Sequence, residues 1–199
     1  MRVLRQADYR RMRWKNGGGW TTELAAFPHD VEAFDWRVSI AEIESDGAFS
    51  AFPGYDRRIA LLEGVGMELR FDGAETQRLE QRLRFVPFAG EAPVFGKLLA
   101  GPVRDFNVMT RRDRCRAEIL HRPLVGPMLF VPDSTAWFVY LVGGRAECRN
   151  KDVSSALGAG DSLLLEPDLA GGNVVLSGGG EVVLIRFVPP TGIAAEPAR

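Results

Sequence analysis

The chain has 199 residues, of which 46% are hydrophobic and 26% are charged, so it can form a substantial core. Its 25 Lys and Arg residues are balanced by 26 Asp and Glu residues, which gives a formal net charge of -1. This balance lacks the basic excess that is typical of nucleic-acid-binding proteins. No apolar run approaches the roughly 18 residues of a membrane span, and residues 1–14 are rich in arginine without the apolar core of a signal peptide. We therefore expect a cytoplasmic protein with no nucleic-acid or membrane partner.

Short strands dominate the predicted secondary structure from one end of the chain to the other. They are rich in Val, Leu, Ile, Phe and Trp, and Gly, Pro, Asn or Asp separates most of them. The predicted strands cover residues 21–27, 36–40, 105–110, 137–142, 146–149, 162–166, 173–176 and 182–188, with two more in 61–71 joined by a turn at 64–66. Because no long helices alternate with these strands, the pattern favours an all-β sandwich or barrel.

The two halves of the sequence are loosely alike. Residues 58–64 (RIALLEG) and 137–143 (WFVYLVG) both carry an apolar strand into a glycine turn, after which a second strand is expected to return. A weak internal duplication accounts for this similarity. We expect two domains, residues 1–112 and 113–190, followed by a flexible polar tail at 191–199.

Several motifs carry a resemblance to known proteins. Residues 157–167 (LGAGDSLLLEP) resemble the glycine turn and strand of a cupin barrel. Residues 14–23 (WKNGGGWTTE), 36–41 (WRVSIA), 47–57 (GAFSAFPGYDR) and 105–109 (DFNVM) together resemble the HutD/Ves family of bicupins over most of the chain. The resemblance implies two cupin-type jelly-roll β-barrels packed together. It also implies either a HutD protein, which is encoded with bacterial histidine-utilisation enzymes and restrains their expression, or a stress-related Ves protein.

Metal ligands of the usual cupin kind are scarce in this chain. Its two histidines, His29 and His121, both fall outside the motifs where cupins place metal-binding imidazoles. Cys115 and Cys148 lie far apart in sequence and are expected to be reduced thiols. Because transition-metal sites usually recruit imidazole or thiolate, we expect neither a metal nor another cofactor.

Strand alternation groups the polar side chains inside the family motifs. Along a strand, every second side chain points to the same face. The polar faces hold Thr21 and Glu23 on one strand, Arg37 and Ser39 on the next, and Asp105 and Asn107 on a third. A solvent-facing surface would explain any one of these strands, but three together predict a polar pocket at a barrel mouth. The candidate ligand-binding residues are Lys15, Asn16, Gly17, Gly18, Thr21, Glu23, Arg37, Tyr55, Arg57, Asp105 and Asn107.

The charges of this set indicate the kind of ligand. Lys15, Arg37 and Arg57 against Glu23 and Asp105 leave one positive charge, which favours a small carboxylate held by a planar guanidinium. Arg37 is expected to pair with Glu23 or Asp105, because a desolvated guanidinium requires a partner.

The uncharged members of the set have narrower expected roles. Asn16 and Asn107 suit an amide, formyl or imidazole group. Gly17 and Gly18 either offer backbone amides to an anion or form a plain turn. The hydroxyl of Tyr55 is a polar handle on an apolar ring.

These residues and the resemblance are compatible with three functions. The first is a metal-free binding protein that senses urocanate or formylglutamate and modulates histidine utilisation, with no catalytic residues. The second is a metal-independent cupin isomerase, lyase or hydrolase, with Glu23 or Asp105 as base and Tyr55 or Lys15 as acid. The third is an interaction protein of the Ves type, in which residues 137–140 would seal a sheet edge in a homodimer.

Overall fold

The computed structural model describes residues 1–29, 33–73, 76–131, 133–167 and 172–190. Within these ranges the chain forms sixteen strands and one short 3-10 helix, Gln6–Asp8, so the predicted all-β class is confirmed. The predicted tail at 191–199 lies outside the described residues. The strands in chain order are β1 (Arg2–Leu4), β2 (Arg10–Arg13), β3 (Gly19–Phe27), β4 (Trp36–Ile43), β5 (Gly47–Ala48), β6 (Tyr55–Glu63), β7 (Met67–Phe71), β8 (Gln77–Leu79), β9 (Val86–Ala89), β10 (Val94–Leu98), β11 (Val103–Arg111), β12 (Arg116–Phe130), β13 (Ala136–Asn150), β14 (Val153–Gly158), β15 (Ser162–Leu165) and β16 (Val174–Val188).

The chain divides into two compact units. The first unit is residues 10–116, and the second is residues 1–9 together with the chain from 117 onward. The sequence predicted residues 1–9 in the N-terminal domain, but β1 pairs with β15, and the Tyr9 hydroxyl hydrogen-bonds the Ser162 hydroxyl at 2.7 Å. The difference arises because a pairing partner some 160 residues away leaves no mark on the local sequence.

The first unit contains two antiparallel sheets. One has the order β2-β3-β4-β11-β6-β9 and the other the order β5-β10-β7-β8. The two strands predicted around residues 64–66 form as β6 and β7, but they lie in different sheets, so the segment between them is a corner and not a hairpin. Gly66 at φ 139° makes this corner, where a Cβ would lie 2.6 Å from the Leu79 carbonyl oxygen.

The second unit is one six-stranded sheet with the order β1-β15-β13-β16-β12, and β14 also pairs with β13. Four predicted strands, 137–142, 146–149, 173–176 and 182–188, are in fact the two long strands β13 and β16. The glycines between them are bends inside a continuous ladder, because Gly144 stands opposite Gly180. A Cβ on Gly144 would lie 2.1 Å from the Gly179 carbonyl oxygen, so the two backbones approach too closely for side chains. The true return strand is β14.

The interior of the second unit is filled by apolar side chains of β13, β15 and β16, among them Leu141, Leu163 and Val182. The residues 137–140 expected at a dimer edge are interior instead. Phe138 is fully buried, and β13 has neighbours on both sides. In the described part of the chain β1, β12 and β14 are the edge strands of this sheet, and no sheet closes into a hydrogen-bonded barrel.

Candidate functional site

The candidate site is one face of the six-stranded sheet of the first unit. Opposite residues of an antiparallel pair point to the same face, so the register of β11 determines which side chains meet there. Met109 stands opposite Arg37 on one side and Arg57 on the other. Two residues away along β11, Asn107 stands opposite Ser39. The alternation predicted from the sequence is therefore present, and it brings two arginines to one level of the sheet.

The other face of these strands is apolar and equally buried. Val38, Ile40, Phe106 and Val108 alternate with the polar residues and are almost entirely inaccessible. The polar face is also buried, since Ser39, Arg57, Asp105 and Asn107 are all in the buried class. A solvent-facing surface, the simplest explanation for polar alternation, does not apply here.

The polar face lines a cavity of about 500 Å³ that is partly open to solvent. This volume lies in the range of small-molecule sites, roughly 300–1,000 Å³. Eight predicted site residues line it: Lys15, Asn16, Gly18, Thr21, Arg37, Arg57, Asp105 and Asn107. Three do not: Gly17, Glu23 and Tyr55.

Arg57 is the most enclosed cation of the cavity, with 5% of its surface exposed. Its guanidinium carbon lies 5.3, 5.6 and 5.0 Å from the ring centres of Phe49, Phe52 and Phe88. One Nη donates a long hydrogen bond of 3.4 Å to the Ser50 carbonyl oxygen, and the Nε is buried without a partner. Burial lowers the pKa of Arg57 to about 10, so the group stays protonated at neutral pH.

Asp105 is the buried carboxyl of the same cavity. It is 1% exposed, and neither carboxyl oxygen has a hydrogen-bond partner among the described residues. Burial raises its pKa from 3.8 to about 7, and the positive charge of Arg57 only partly opposes this rise. The amide oxygen of Asn107 is likewise buried and unpaired. Unpaired polar atoms of this kind are rare inside folded proteins, and their grouping on this face makes the cavity the candidate functional site.

Arg37 does not form the ion pair expected from the sequence. Its Nη2 lies 3.3 Å from the Met109 sulfur, and its guanidinium carbon lies 4.7 Å from the Phe34 ring centre and 5.4 Å from that of Phe52. Burial lowers the pKa of Arg37, and the negative charge of Glu23 raises it without a direct bond. The Nε of Arg37 is buried and unpaired. Aromatic and sulfur contacts therefore hold the Arg37 guanidinium at the lining of the cavity.

Glu23 lies on the cavity face of β3 but does not line the cavity. It stands opposite Ser39 of β4, two residues along from the pair of Thr21 and Ala41, so the alternation expected from the sequence holds as far as Glu23. The register between β3 and β4 shifts directly after it, between Glu23 and Ala25. Glu23 is therefore the last residue of β3 before a β-bulge, and the cavity lining on this strand ends at Thr21.

The glycine run is not an open anion nest. The Gly17 amide donates to the Trp14 carbonyl oxygen at 3.0 Å, and the Gly18 amide donates to the Asn16 side-chain oxygen at 3.0 Å. Gly17 adopts φ 74°, which accounts for a glycine at that position. Of the two interpretations left open by the sequence, the turn is correct for Gly17.

The Tyr55 hydroxyl is engaged away from the cavity. It donates to the Phe34 carbonyl oxygen at 2.8 Å, and the two rings lie 4.7 Å apart. The expected contact between this hydroxyl and a ligand is therefore not supported. Tyr55 fixes the wall behind the cavity through Phe34.

Other cavity residues were not selected from the sequence. They are Met12, Arg13, Trp14, Ser39, Ala41, Ile43, Ser45, Asp46, Gly47, Ala48, Phe49, Ser50, Phe52 and Gly96. Ser39 could have been found, because it shares the alternating face with Arg37. Phe49 and Phe52 are typical packing residues in sequence, and only the fold shows that they also enclose Arg57.

No three His, Cys, Asp or Glu side chains within the described ranges are grouped so that they could hold a metal ion. His121 lies in the second unit, 2.7 Å from the Glu181 carboxylate. Both cysteines are free thiols. None of the described helical segments has the length and apolarity needed to span a bilayer.

The fold and cavity define an all-β protein of cupin-like fold with a buried arginine-lined cavity in one unit. The HutD family model matches residues 6–184, and the chain belongs to the HutD family. It is 45% identical over 120 residues to an uncharacterised 21.2 kDa protein in the hutC 3′ region of Pseudomonas putida, covering 60% of this chain and 63% of that protein. It is also 45% identical over 107 residues to protein Ves of Citrobacter koseri, covering 53% of this chain and 56% of that protein. These alignments thus span less than two thirds of the curated relatives.

Solved structures extend the similarity over nearly the whole chain. HutD from Pseudomonas fluorescens SBW25 superposes with a TM-score of 0.79 at 33% identity, covering 94% of this chain and 98% of that one. Protein Ylba of Escherichia coli superposes with a TM-score of 0.71 at 9% identity, covering 94% and 90% of the two chains, which shows the fold alone.

Proposed function

We propose that the protein binds a small carboxylate of histidine breakdown, urocanate or formylglutamate, in the cavity of the first unit and thereby modulates histidine utilisation in the cytoplasm. Binding uses side chains alone, without a metal. We further propose that both units are cupin-type jelly-roll barrels. The observation that carries the ligand proposal is that two enclosed guanidinium groups, Arg37 and Arg57, line this cavity from one face of the sheet.

The charges of the cavity support an anionic ligand. Three arginines line it, namely Arg37, Arg57 and Arg13, the last of which pairs with Glu44. Asp105, the buried carboxyl of the lining, is only partly ionised at neutral pH because its pKa is about 7. Lys15 at the cavity lining adds a further positive charge. A buried guanidinium is stabilised when a carboxylate accepts two parallel hydrogen bonds from it. A bound carboxylate would therefore offset the desolvation of Arg57, which its ring contacts and one long hydrogen bond leave uncompensated.

The family supports the choice of compounds. A matching relative is named for its position in the hutC 3′ region, and a solved neighbour is named HutD. Urocanate and formylglutamate both combine a carboxylate with a group that Asn107 or Asn16 can hydrogen-bond.

A thermal-melt comparison tests the proposal. At a ligand concentration of roughly a hundredfold over Kd, binding adds about 2.7 kcal/mol to the free energy of unfolding. For a chain of this size that corresponds to a rise in Tm of roughly 5 to 11 °C. If neither urocanate nor formylglutamate at millimolar concentration raises the Tm, the ligand assignment fails.

Two neighbouring arginines of β6 provide a matched pair of variants. Arg57→Met keeps an apolar stem among the phenylalanine rings but removes the charge, so we expect it to abolish the ligand-induced rise in Tm. Arg58 is the next residue along β6 and points to the opposite face, because side chains alternate. Arg58→Met should retain the wild-type response, and an equal loss in both variants would contradict a specific role for Arg57.

The enzyme alternative rests on Asp105. A pKa of about 7 is suited to a general base at neutral pH. Against it, both carboxyl oxygens are buried, and Tyr55, one of the two acids expected to act with it, lies outside the cavity lining. Chromatography of urocanate and formylglutamate after prolonged incubation distinguishes the two functions: turnover that disappears in Asp105→Asn would favour the enzyme.

A further inference from the structure

Asp105 is a negative group placed in a cavity that otherwise attracts anions. It lies on β11 opposite Ala41 of β4 and Leu61 of β6, on the face that carries the two arginines. Neither oxygen is accessible or hydrogen-bonded. Asp105 is therefore unable to touch a ligand directly in this conformation, and any influence it has on binding passes through its charge.

The charged groups that share the cavity with Asp105 come from several elements. They are Arg57 on β6, Arg37 on β4, Arg13 on β2, and Lys15 and Asp46 in the connecting segments. Among them, Arg57 is the charge that acts on the pKa of Asp105: its guanidinium lowers the pKa, while burial raises it more strongly. Asp46 is engaged elsewhere, since its carboxylate accepts a hydrogen bond from the Leu98 amide at 2.8 Å.

An ionised Asp105 and a bound carboxylate would compete for the charge of Arg57. Two like charges beside one guanidinium repel each other, and because Asp105 is buried this repulsion is screened less than it would be in bulk water. Protonation of Asp105 removes the repulsion and leaves the charge of Arg57 to the ligand. The most favourable bound state therefore contains the carboxylate ligand and a protonated Asp105. Above neutral pH the free protein lacks this proton, so binding takes it up.

We propose that Asp105 is a positioning residue that couples carboxylate binding to the uptake of one proton, so that affinity falls as the pH rises above neutrality. This inference rests on the proposed function, because it requires that a carboxylate binds beside Arg57. It adds a sensitivity to pH that neither the family match nor the cavity lining describes. Its effect on affinity is bounded: uptake of one proton changes Kd by at most about tenfold per pH unit.

The direction of the effect follows from the two protonation states. Below about pH 6 Asp105 is already protonated in the free protein, so binding takes up no proton and Kd is independent of pH. Above about pH 7 the free protein has lost that proton and must regain it on binding, so Kd increases with pH.

Isothermal titration calorimetry with N-formyl-L-glutamate from about pH 6 to about pH 9 tests the coupling, because the carboxyls of this compound ionise near pH 4 and keep a fixed charge over that range. Urocanate is the poorer probe, since its imidazole titrates near neutral pH. Repeating the titration in buffers of different ionisation enthalpy counts the protons taken up. We expect the number of protons taken up to be near zero at about pH 6 and to approach one at about pH 8. Over the same range Kd should increase by about tenfold or more.

Asp105→Asn keeps the shape of the side chain and fixes it in a neutral form. This variant should bind at every pH with the affinity that the wild type shows at the acidic end, without proton uptake. Asp113→Asn is the matched control, because Asp113 is a 70% exposed carboxyl outside the cavity, and it should keep the wild-type pH profile.

The outcomes separate this inference from the proposed function. Binding of N-formyl-L-glutamate with a pH-independent Kd in the wild type overturns the role of Asp105 and leaves the proposed function intact. A pH dependence that persists in Asp105→Asn overturns it as well. Absence of N-formyl-L-glutamate binding at every pH overturns this inference, and it overturns the proposed function as well if urocanate also fails to bind. If Asp105→Asn fails to fold, the number of protons that the wild type takes up on binding still tests the inference.

Discussion

Asp105 also affects the stability of the empty protein. An unfolded chain ionises this carboxyl near its ordinary pKa of 3.8, whereas the folded chain does so at about 7. Between these values the folded state holds one proton more than the unfolded state, so the free energy of unfolding decreases as the pH rises. The loss is complete above about pH 7, where both states are ionised, and it amounts to roughly 4 kcal/mol.

This linkage predicts a stabilised variant. Asp105→Asn should raise the free energy of unfolding at about pH 8 by about 2 to 4 kcal/mol, because it removes a buried charge that lacks a hydrogen bond. At about pH 4 wild type and variant should differ little. Urea denaturation at both pH values measures the difference, and a variant less stable than wild type at the higher pH would show that the ionised carboxyl is stabilised in a way its surroundings do not indicate.

At the level of residues, sequence patterns predicted the site only where local geometry was sufficient. Arg37, Asp105 and Asn107 were grouped correctly because alternation has a period of two and depends on nothing distant. Gly17 and Tyr55 lie outside the cavity lining, the first because a local turn to Trp14 takes up its amide and the second because tertiary packing sets its hydrogen-bond partner. The carbonyl that receives the Tyr55 hydroxyl belongs to Phe34, and nothing in the sequence around Tyr55 indicates that contact.

At the level of elements, the glycine run is explained by strand pairing. Gly19 begins β3, and a Cβ at this position would lie 2.2 Å from the Glu42 carbonyl oxygen of β4. The side of the Trp14 ring is also close, at 3.2 Å. The run therefore allows β3 to approach β4 at the edge of the cavity, since Gly19 stands opposite Ile43 at the end of both strands.

Gly19→Ala should destabilise the protein by about 2 to 4 kcal/mol, because the clash is with the backbone and cannot be relieved by a side-chain rotation. Chemical denaturation measures the change. Gly47→Ala is the control, since a Cβ on Gly47 meets nothing within 4 Å and its stability should change by less than about 0.5 kcal/mol. A Gly19→Ala protein of wild-type stability would indicate that β3 and β4 sit further apart at this end.

The strands themselves were largely predictable, but their connections were not. The apolar runs at 137–142 and 182–188 form strands as expected, yet the glycines beside them continue the ladder instead of turning it. A glycine pair between two apolar runs looks the same in sequence whether it makes a turn or a bend. The pairing of Gly144 on β13 with Gly180 on β16 makes these glycines a bend, and this contact between two strands is not visible in the local sequence.

At the level of the whole molecule, the second unit depends on the first residues of the chain. Beyond the β1–β15 ladder, the Arg5 guanidinium binds the Asp161 carboxylate at 2.9 Å, and the Gln6 amide donates to the same carboxylate at 3.0 Å. Burial raises the pKa of the Tyr9 hydroxyl well above its ordinary value. Because the partner of β1 lies about 160 residues away, local sequence alone predicts a boundary that leaves residues 1–9 with the first unit.

Deletion of residues 2–9 should therefore weaken the second unit selectively. We expect faster amide hydrogen exchange in β15, which loses its neighbour on one side, while β4 and β11 of the first unit retain wild-type exchange. Hydrogen exchange followed by mass spectrometry measures both regions in one experiment. Equal exchange in β15 with and without the deletion would mean that β1 contributes little to this sheet.

The same pairing has a consequence during translation. Arg2 meets Leu164, so the partner of β1 leaves the ribosome some 160 residues later. At roughly 5–20 residues per second this is a delay of about 10 to 30 s, which is long compared with the folding of most small domains. Residues 10–116 contain every strand of the cavity sheet and can complete it during that interval. The growing chain can thus complete the sheet that lines the cavity before the partner strand of β1 has been synthesised.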